Sequence, residues 1–249
     1  MSVFPLMQVI DDKQFLVVGY GGIAQRKIRL IRQFTDRVTV LTDCGGQDCA
    51  EEGEDKAGCA ESEDGRGRQG SKGDPAGSFQ ILRRKFTPED LSGVDFCIAS
   101  TDDPIRNHRI ASLCREAGIQ VNLPDTPSLC TFFLPAVVKR GDLTIAFSTD
   151  GKSPALAAYL RRNAEENLPD RVEEILDRMG DLRVQARRGL EDSAARRKLY
   201  HILLTEMLSG RLEPDERTVH SRAQRWIEEI NATRIKKGRG DGCGGGMSR

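Results

Sequence analysis

Two sets of residues have the types and spacing to do chemistry. The first is Gly19-Tyr20-Gly21-Gly22-Ile23-Ala24, a G-x-G-x-x-A turn, followed after about twenty residues by Asp43. In such a turn Gly19 makes the tight bend, Gly21 lets the backbone approach a pyrophosphate, and Ala24 allows close helix–strand packing. The free N–H groups opening the next helix would hold the phosphates, and an acid at Asp43 suits a ribose hydroxyl. The second is Asp125, in Val121-Asn122-Leu123-Pro124-Asp125-Thr126-Pro127. A carboxylate there could take or give the proton that accompanies hydride transfer. Each has a plainer reading. The glycines could only close a βα corner, Asp43 could open a loop, and Asp125 could start a turn before Pro127. His108, His201 and His220 lie in helical stretches and read as surface or packing residues.

Phe15-Leu16-Val17-Val18 is a short apolar run that suits a buried parallel strand. After the turn, Ala24, Ile28, Ile31 and Phe34 recur at helical spacing, with Arg26, Lys27, Arg29 and Arg32 facing solvent or ligand. Further strands are expected at 37–42, 79–82, 94–99 and 119–122. A helix opened by Asp102 or Asp103 and Pro104, and closed by Gly118, separates the last two. This alternation predicts an α/β fold with a Rossmann-type parallel sheet. Its loops at 19–24, 43, 100–103 and 122–125 should converge on one crevice.

The pattern changes at Thr131. Residues 131–138 and 143–148 read as two strands about a tight turn at 139–142. They are too apolar to lie open, so another subunit is the simplest cover and a homodimer is expected. Ser153 and Pro154 then start a helical, highly charged region with apolar spacing at Val172, Ile175, Leu176 and Met179, and at Leu199, Ile202, Leu203 and Met207. The expected boundaries are 1–118 for the nucleotide domain, 119–150 for the central dimerisation segment, 151–234 for a small helical domain and 235–249 for a disordered tail. Residues 1–13 should form an arm packed on the sheet. Residues 44–78 contain no Val, Ile, Leu, Met, Phe, Tyr or Trp and nine glycines, and read as a disordered insertion.

Lysine plus arginine equals aspartate plus glutamate at 38 each, which provides no global field for nucleic acid. No apolar run reaches the roughly 20 residues of a membrane span, and the N-terminus lacks the pattern of a secretory signal. The seven cysteines show no zinc spacing; metal ligation by Cys44, Cys49 and Cys59 is the weaker reading, so no metal site is assigned. A cytoplasmic location follows.

Five blocks carry a family resemblance: Phe4-Pro5-Leu6; VVGYGGIAQRKIRLI at 17–31; Ala99-Ser100-Thr101-Asp102-Asp103-Pro104; VNLPDTPSLCTFFLPAVVKRGDLTIAFST at 121–149; and Asp150-Gly151-Lys152-Ser153-Pro154-Ala155-Leu156. Over about residues 2–165, the 44–78 insertion excepted, the chain resembles the precorrin-2 dehydrogenase family, the dehydrogenase/ferrochelatase part of siroheme synthases. The resemblance implies NAD as cofactor and precorrin-2, a tetrapyrrole with eight carboxylates, as substrate. It implies oxidation to sirohydrochlorin and, in some members, insertion of ferrous iron to give siroheme. The family's essential aspartate falls on Asp125. NAD contacts fall on Gly21, Gly22, Ile23, Asp43, Cys44, Thr101 and Asp102, beside Gly19 and Ala24 of the fingerprint. Asn122, Lys152 and Ser153 are assigned to the substrate. Tyr20 and Asp150 stand where the family commonly has glycine, and Tyr20 is expected to crowd the pyrophosphate approach. A module that binds NAD without chemistry is a distant alternative.

Overall fold

The structure is a computed structural model that describes residues 3–43 and 79–240. It divides into two compact units, residues 1–135 and 136–249.

In the first unit, β1 (Phe15–Val18), β2 (Val38–Thr42), β3 (Gln80–Arg83), β4 (Phe96–Ala99) and β5 (Gln120–Asn122) form one sheet in the order β3-β2-β1-β4-β5. Every pairing is parallel, with Phe15 in register with Val38 on one side and Phe96 on the other. β1 and β4 are buried along their whole length, as central strands covered on both faces must be. The pleat sends alternate side chains to opposite layers. Phe15 and Val17 meet Ala24, Ile28 and Ile31 of α1 (Gly22–Ile31). Leu16 and Val18 meet Ile110, Ala111 and Cys114 of α2 (Pro104–Glu116). Asp103 caps α2, accepting from the backbone N–H groups of Ile105 at 2.9 Å and Arg106 at 3.3 Å.

In the second unit, β6 (Ala136–Arg140) and β7 (Leu143–Phe147) form an antiparallel hairpin in which Arg140 pairs with Leu143. Gly141, at φ +51°, makes the two-residue reversal. α3 (Pro154–Asn167) packs on both strands, so this helix supplies at least part of the layer expected from another subunit. α4 (Val172–Gly189), α5 (Ser193–Leu208) and α6 (Glu216–Gly240) enclose a core that includes Ile175, Leu182, Leu199, Leu203, Met207 and Trp226.

Four expectations need correction. The first hairpin strand begins at Ala136 rather than Thr131, because the Thr131 N–H donates to the carbonyl of Val121 at 2.8 Å and Pro135 has no N–H to pair. Residues 119–135 group with the sheet and not with a central segment, since β5 is bonded to β4. The arm does not pack on the sheet along its length: Phe4, Leu6, Met7 and Val9 are exposed. α6 continues to Gly240, into the expected tail, because Ile235, Lys236 and Lys237 can propagate a helix already formed. The insertion at 44–78 and the last nine residues, 241–249, lie outside the described residues.

Candidate functional site

The strand order reverses between β1 and β4, the switch point at which open α/β sheets bind ligands. The chain leaves the two strands side by side. The N–H of Gly19 donates to the carbonyl of Leu41, and that of Ser100 to the carbonyl of Val18, both at 2.8 Å. Gly19 sits at φ +109°, and a Cβ there would lie 2.1 Å from the carbonyl oxygen of Ser100. Only glycine fits so close a backbone approach. Gly21 and Gly22 differ: nothing lies within 4 Å of where their Cβ atoms would be. They open α1 onto a crevice of about 240 Å³, lined also by Ile23, Thr101, Asp102, His108 and Asp125. Ala24 is fully buried beneath it. A bare backbone cradle at a helix N-terminus fits a dinucleotide pyrophosphate. Tyr20, expected to crowd that approach, packs against the α1 layer, and the crevice lining does not include it.

The β4 loop is fixed by Asn107, which the sequence reading missed. Its Oδ1 accepts from the N–H of Thr101 at 3.0 Å and the Thr101 hydroxyl at 2.7 Å, while its Nδ2 donates to the Thr101 carbonyl at 2.9 Å. Asn107 lies one turn after the Asp103 cap, a spacing that returns a side chain to the loop before a helix. His108, expected to be a surface or packing residue, is exposed in the crevice wall, with Nε2 3.4 Å from the Thr126 hydroxyl.

Asp125 is exposed at the crevice, on the loop after β5. Cys130 holds that loop from behind. Its sulfur accepts from the N–H of Leu123 at 3.2 Å and donates to the Leu123 carbonyl at 3.2 Å. Beside it, Asn122 is 4% exposed, with Oδ1 accepting from Lys27 Nζ at 2.7 Å and Nδ2 donating to the carbonyl of Phe132 at 2.9 Å. The side chain expected to meet the substrate therefore braces β5 instead. Its two ends are already bonded, as a buried amide requires. Lys27, expected to face solvent or ligand, turns inward to make that bond. Burial pushes its pKa down, opposed by the Asp125 carboxylate.

Asp43 stands at the carboxyl end of β2, and its Oδ2 accepts from Arg106 Nη1 at 2.7 Å. The guanidinium holds the Asp43 carboxyl below the usual carboxylate range. Cys44 lies outside the described residues. Lys152 and Ser153 belong to the second unit. Lys152 is exposed, and the Ser153 hydroxyl caps α3 by accepting from the N–H of Leu156 at 3.2 Å. Among the described residues no three His, Cys, Asp or Glu side chains gather as a metal site, and no helix is long and apolar enough to cross a membrane.

Comparisons with known proteins agree with this geometry. A family model described as "Putative NAD(P)-binding" matches residues 6–136, and one described as "Sirohaem biosynthesis protein central" matches 140–165. Siroheme synthase of Thioalkalivibrio sulfidiphilus is 30% identical over 93% of this chain and 44% of its own length. Siroheme synthases of Methylococcus capsulatus and Azotobacter vinelandii are each 31% identical, over 88% and 97% of this chain and 43% and 47% of theirs. The chain thus spans less than half the length of these relatives. Among solved structures, "SirC, precorrin-2 dehydrogenase" aligns with TM-score 0.57 at 22% identity, over 92% of this chain and all of that one, a likeness of fold. The chain therefore belongs to the putative NAD(P)-binding family whose model spans residues 6–136, and its residues 140–165 match the sirohaem-biosynthesis central model.

Proposed function

We propose that this chain oxidises precorrin-2 to sirohydrochlorin with NAD⁺, with Asp125 as the proton-handling residue. The observation that carries the reading is the convergence of the bare Gly21–Gly22 cradle and Asp125 on one crevice at the strand-order reversal. The bound dinucleotide would supply the hydride acceptor. Gly21, Gly22 and Ile23 present the opening of α1 to its phosphates. Thr101, held by Asn107, and Asp102 form the opposite wall. Asp43 faces the ribose. Asp125 takes a proton lost from the macrocycle, at a loop held in place by Cys130.

The substrate's carboxylates suit the exposed Lys152, with Ser153 beside it, in sign and hydrogen-bonding capacity. A homodimer is part of the proposal. The hairpin is only half-buried beneath α3, and Phe4, Leu6, Met7 and Val9 of the N-terminal arm are exposed, as apolar surface awaiting a partner would be. The described cysteines, Cys97, Cys114 and Cys130, are free thiols, which fits the reducing cytoplasm.

The test is absorbance of anaerobically generated precorrin-2 mixed with the chain, with and without NAD⁺. Conversion to the sirohydrochlorin spectrum only when both are present is the expected result. Unchanged precorrin-2 in the presence of bound NAD⁺ would overturn the reading. Ferrous iron added to the same cuvette asks separately whether iron is a second substrate.

A further inference from the structure

Among the described residues, the titratable side chains that line the crevice are Asp102, His108 and Asp125. His108 is the one of them to which the proposed reaction gives no task. It stands on the second turn of α2, exposed in the wall, with Nε2 3.4 Å from the hydroxyl of Thr126, the residue after Asp125. Its place there is fixed. Asp103 caps the helix, and the three bonds of Asn107 to Thr101 hold the turn that leads to His108. Two turns further on, Arg115 Nη2 donates to the carbonyl of Ser128 at 3.3 Å. One face of α2 therefore meets the Asp125 loop at two points.

We infer that His108 is a second proton-handling residue, which receives the proton that Asp125 takes from the macrocycle and releases it to solvent. The inference rests on the precorrin-2 reading above and adds the route by which Asp125 is made ready for the next turnover. Oxidation removes two electrons from the macrocycle: a C–H bond breaks, and its hydride passes to the bound dinucleotide. A second hydrogen leaves as a proton to the Asp125 carboxylate, and the electron pair of its broken bond stays behind in a new double bond. The Asp125 carboxyl then gives the proton to a ring nitrogen of His108, which regenerates the carboxylate, and the imidazolium loses it to water. Groups that share a crevice make such a transfer directly or through one water. An ordinary carboxylic acid is stronger than an imidazolium by roughly two to three pH units, so the transfer runs downhill. An imidazole both gains and loses a proton near neutral pH, which an ordinary carboxylate or hydroxyl does not. The ring is exposed, so the last step has its outlet.

Steady-state turnover of precorrin-2 and equilibrium NAD⁺ affinity, measured on the full chain as wild type, His108→Ala and His108→Gln, test this. A glutamine amide can meet the Thr126 hydroxyl as the ring does, but it carries no titrating proton. Both variants should lose about tenfold or more in kcat, with NAD⁺ affinity within about threefold of wild type. Added imidazole should restore turnover to His108→Ala. Wild-type kcat in His108→Ala overturns the inference and leaves the dehydrogenase reading standing. So does wild-type kcat in His108→Gln alone, which would make the ring a hydrogen-bond brace for Thr126. A loss in His108→Ala that imidazole does not relieve, or one matched by an equal loss of NAD⁺ affinity, also overturns it. A folded wild type that binds NAD⁺ without consuming precorrin-2 overturns both readings.

Discussion

The backbones of Gly19 and Ser100 approach so closely that a single methyl group on Gly19 would lie 2.1 Å from the Ser100 carbonyl oxygen. That contact joins the ends of the two central strands and sets the floor of the crevice. Gly19→Ala should cost about 2–4 kcal/mol, combining the strain of φ +109° with displacement of the β4 loop. Gly21→Ala meets open space and should change stability by less than about 1 kcal/mol. It should nevertheless weaken dinucleotide binding about tenfold, because the added methyl group occupies the phosphate approach. Urea denaturation and cofactor titration of both variants would separate the structural glycine from the ligand-facing one. Equal effects of the two substitutions would contradict the assignment.

Asn107 should matter to cofactor binding without touching the reacting atoms. Its three bonds to Thr101 set the wall opposite the glycine turn. Asn107→Ala should lower stability by about 1–3 kcal/mol. It should also weaken dinucleotide affinity about tenfold as the loop loosens. Thermal unfolding and calorimetric titration measure the two effects. Unaltered affinity would show that the loop is held by other contacts.

Lys27 gives a pH signature. Burial lowers its folded pKa below the unfolded value of about 10.4, so the folded state releases this proton first. The penalty for burying the charge is full below the folded pKa, and the wild type gains stability relative to Lys27→Met as pH rises from there towards the unfolded value. At neutral pH the variant also leaves Asn122 Oδ1 without its 2.7 Å donor, at a cost of about 1–3 kcal/mol. Urea midpoints of both proteins from about pH 7 to about pH 10 would show the trend. A pH-independent difference would contradict it.

Asp95 gives the opposite sign. Its carboxylate accepts from the N–H of Gln14 and from Lys13 Nζ, both at 3.0 Å, tying the start of β1 to the start of β4. The Gln14 N–H holds its pKa down, with Lys13 helping against partial burial. Its contribution is therefore present above the unfolded value of about 3.9 and is lost as pH falls through the folded pKa. Asp95→Asn should be less stable than wild type at neutral pH, and the gap should close on acidification. Acid titration of unfolding in the two proteins tests this; a gap that widens at low pH would refute it.

The sheet was legible because its strands are local apolar runs and its turn carries glycines whose geometry has few substitutes. The α3 start was equally plain, with Ser153 and Pro154 at N-cap and N1. Pairings distant in sequence were not. Lys27 and Asn122 meet across 95 positions, Asp43 and Arg106 across 63, and no spacing rule reports either. Asp150 is the described non-glycine residue with positive φ, at +52°, a conformation that glycine adopts more readily. Cys130 carries no spacing signal in the sequence, yet its sulfur serves as a hydrogen-bond hub for the Asp125 loop.

In the proposed reaction Asp125 handles the proton while the glycine cradle holds the cofactor. The most direct measurement compares wild type and Asp125→Ala under anaerobic conditions, following reduced dinucleotide and sirohydrochlorin together, with cofactor affinity measured separately. Wild type should form the two in equal amounts, and the variant should bind NAD⁺ with near-normal affinity but form neither at a measurable rate. Wild-type turnover in Asp125→Ala would contradict it.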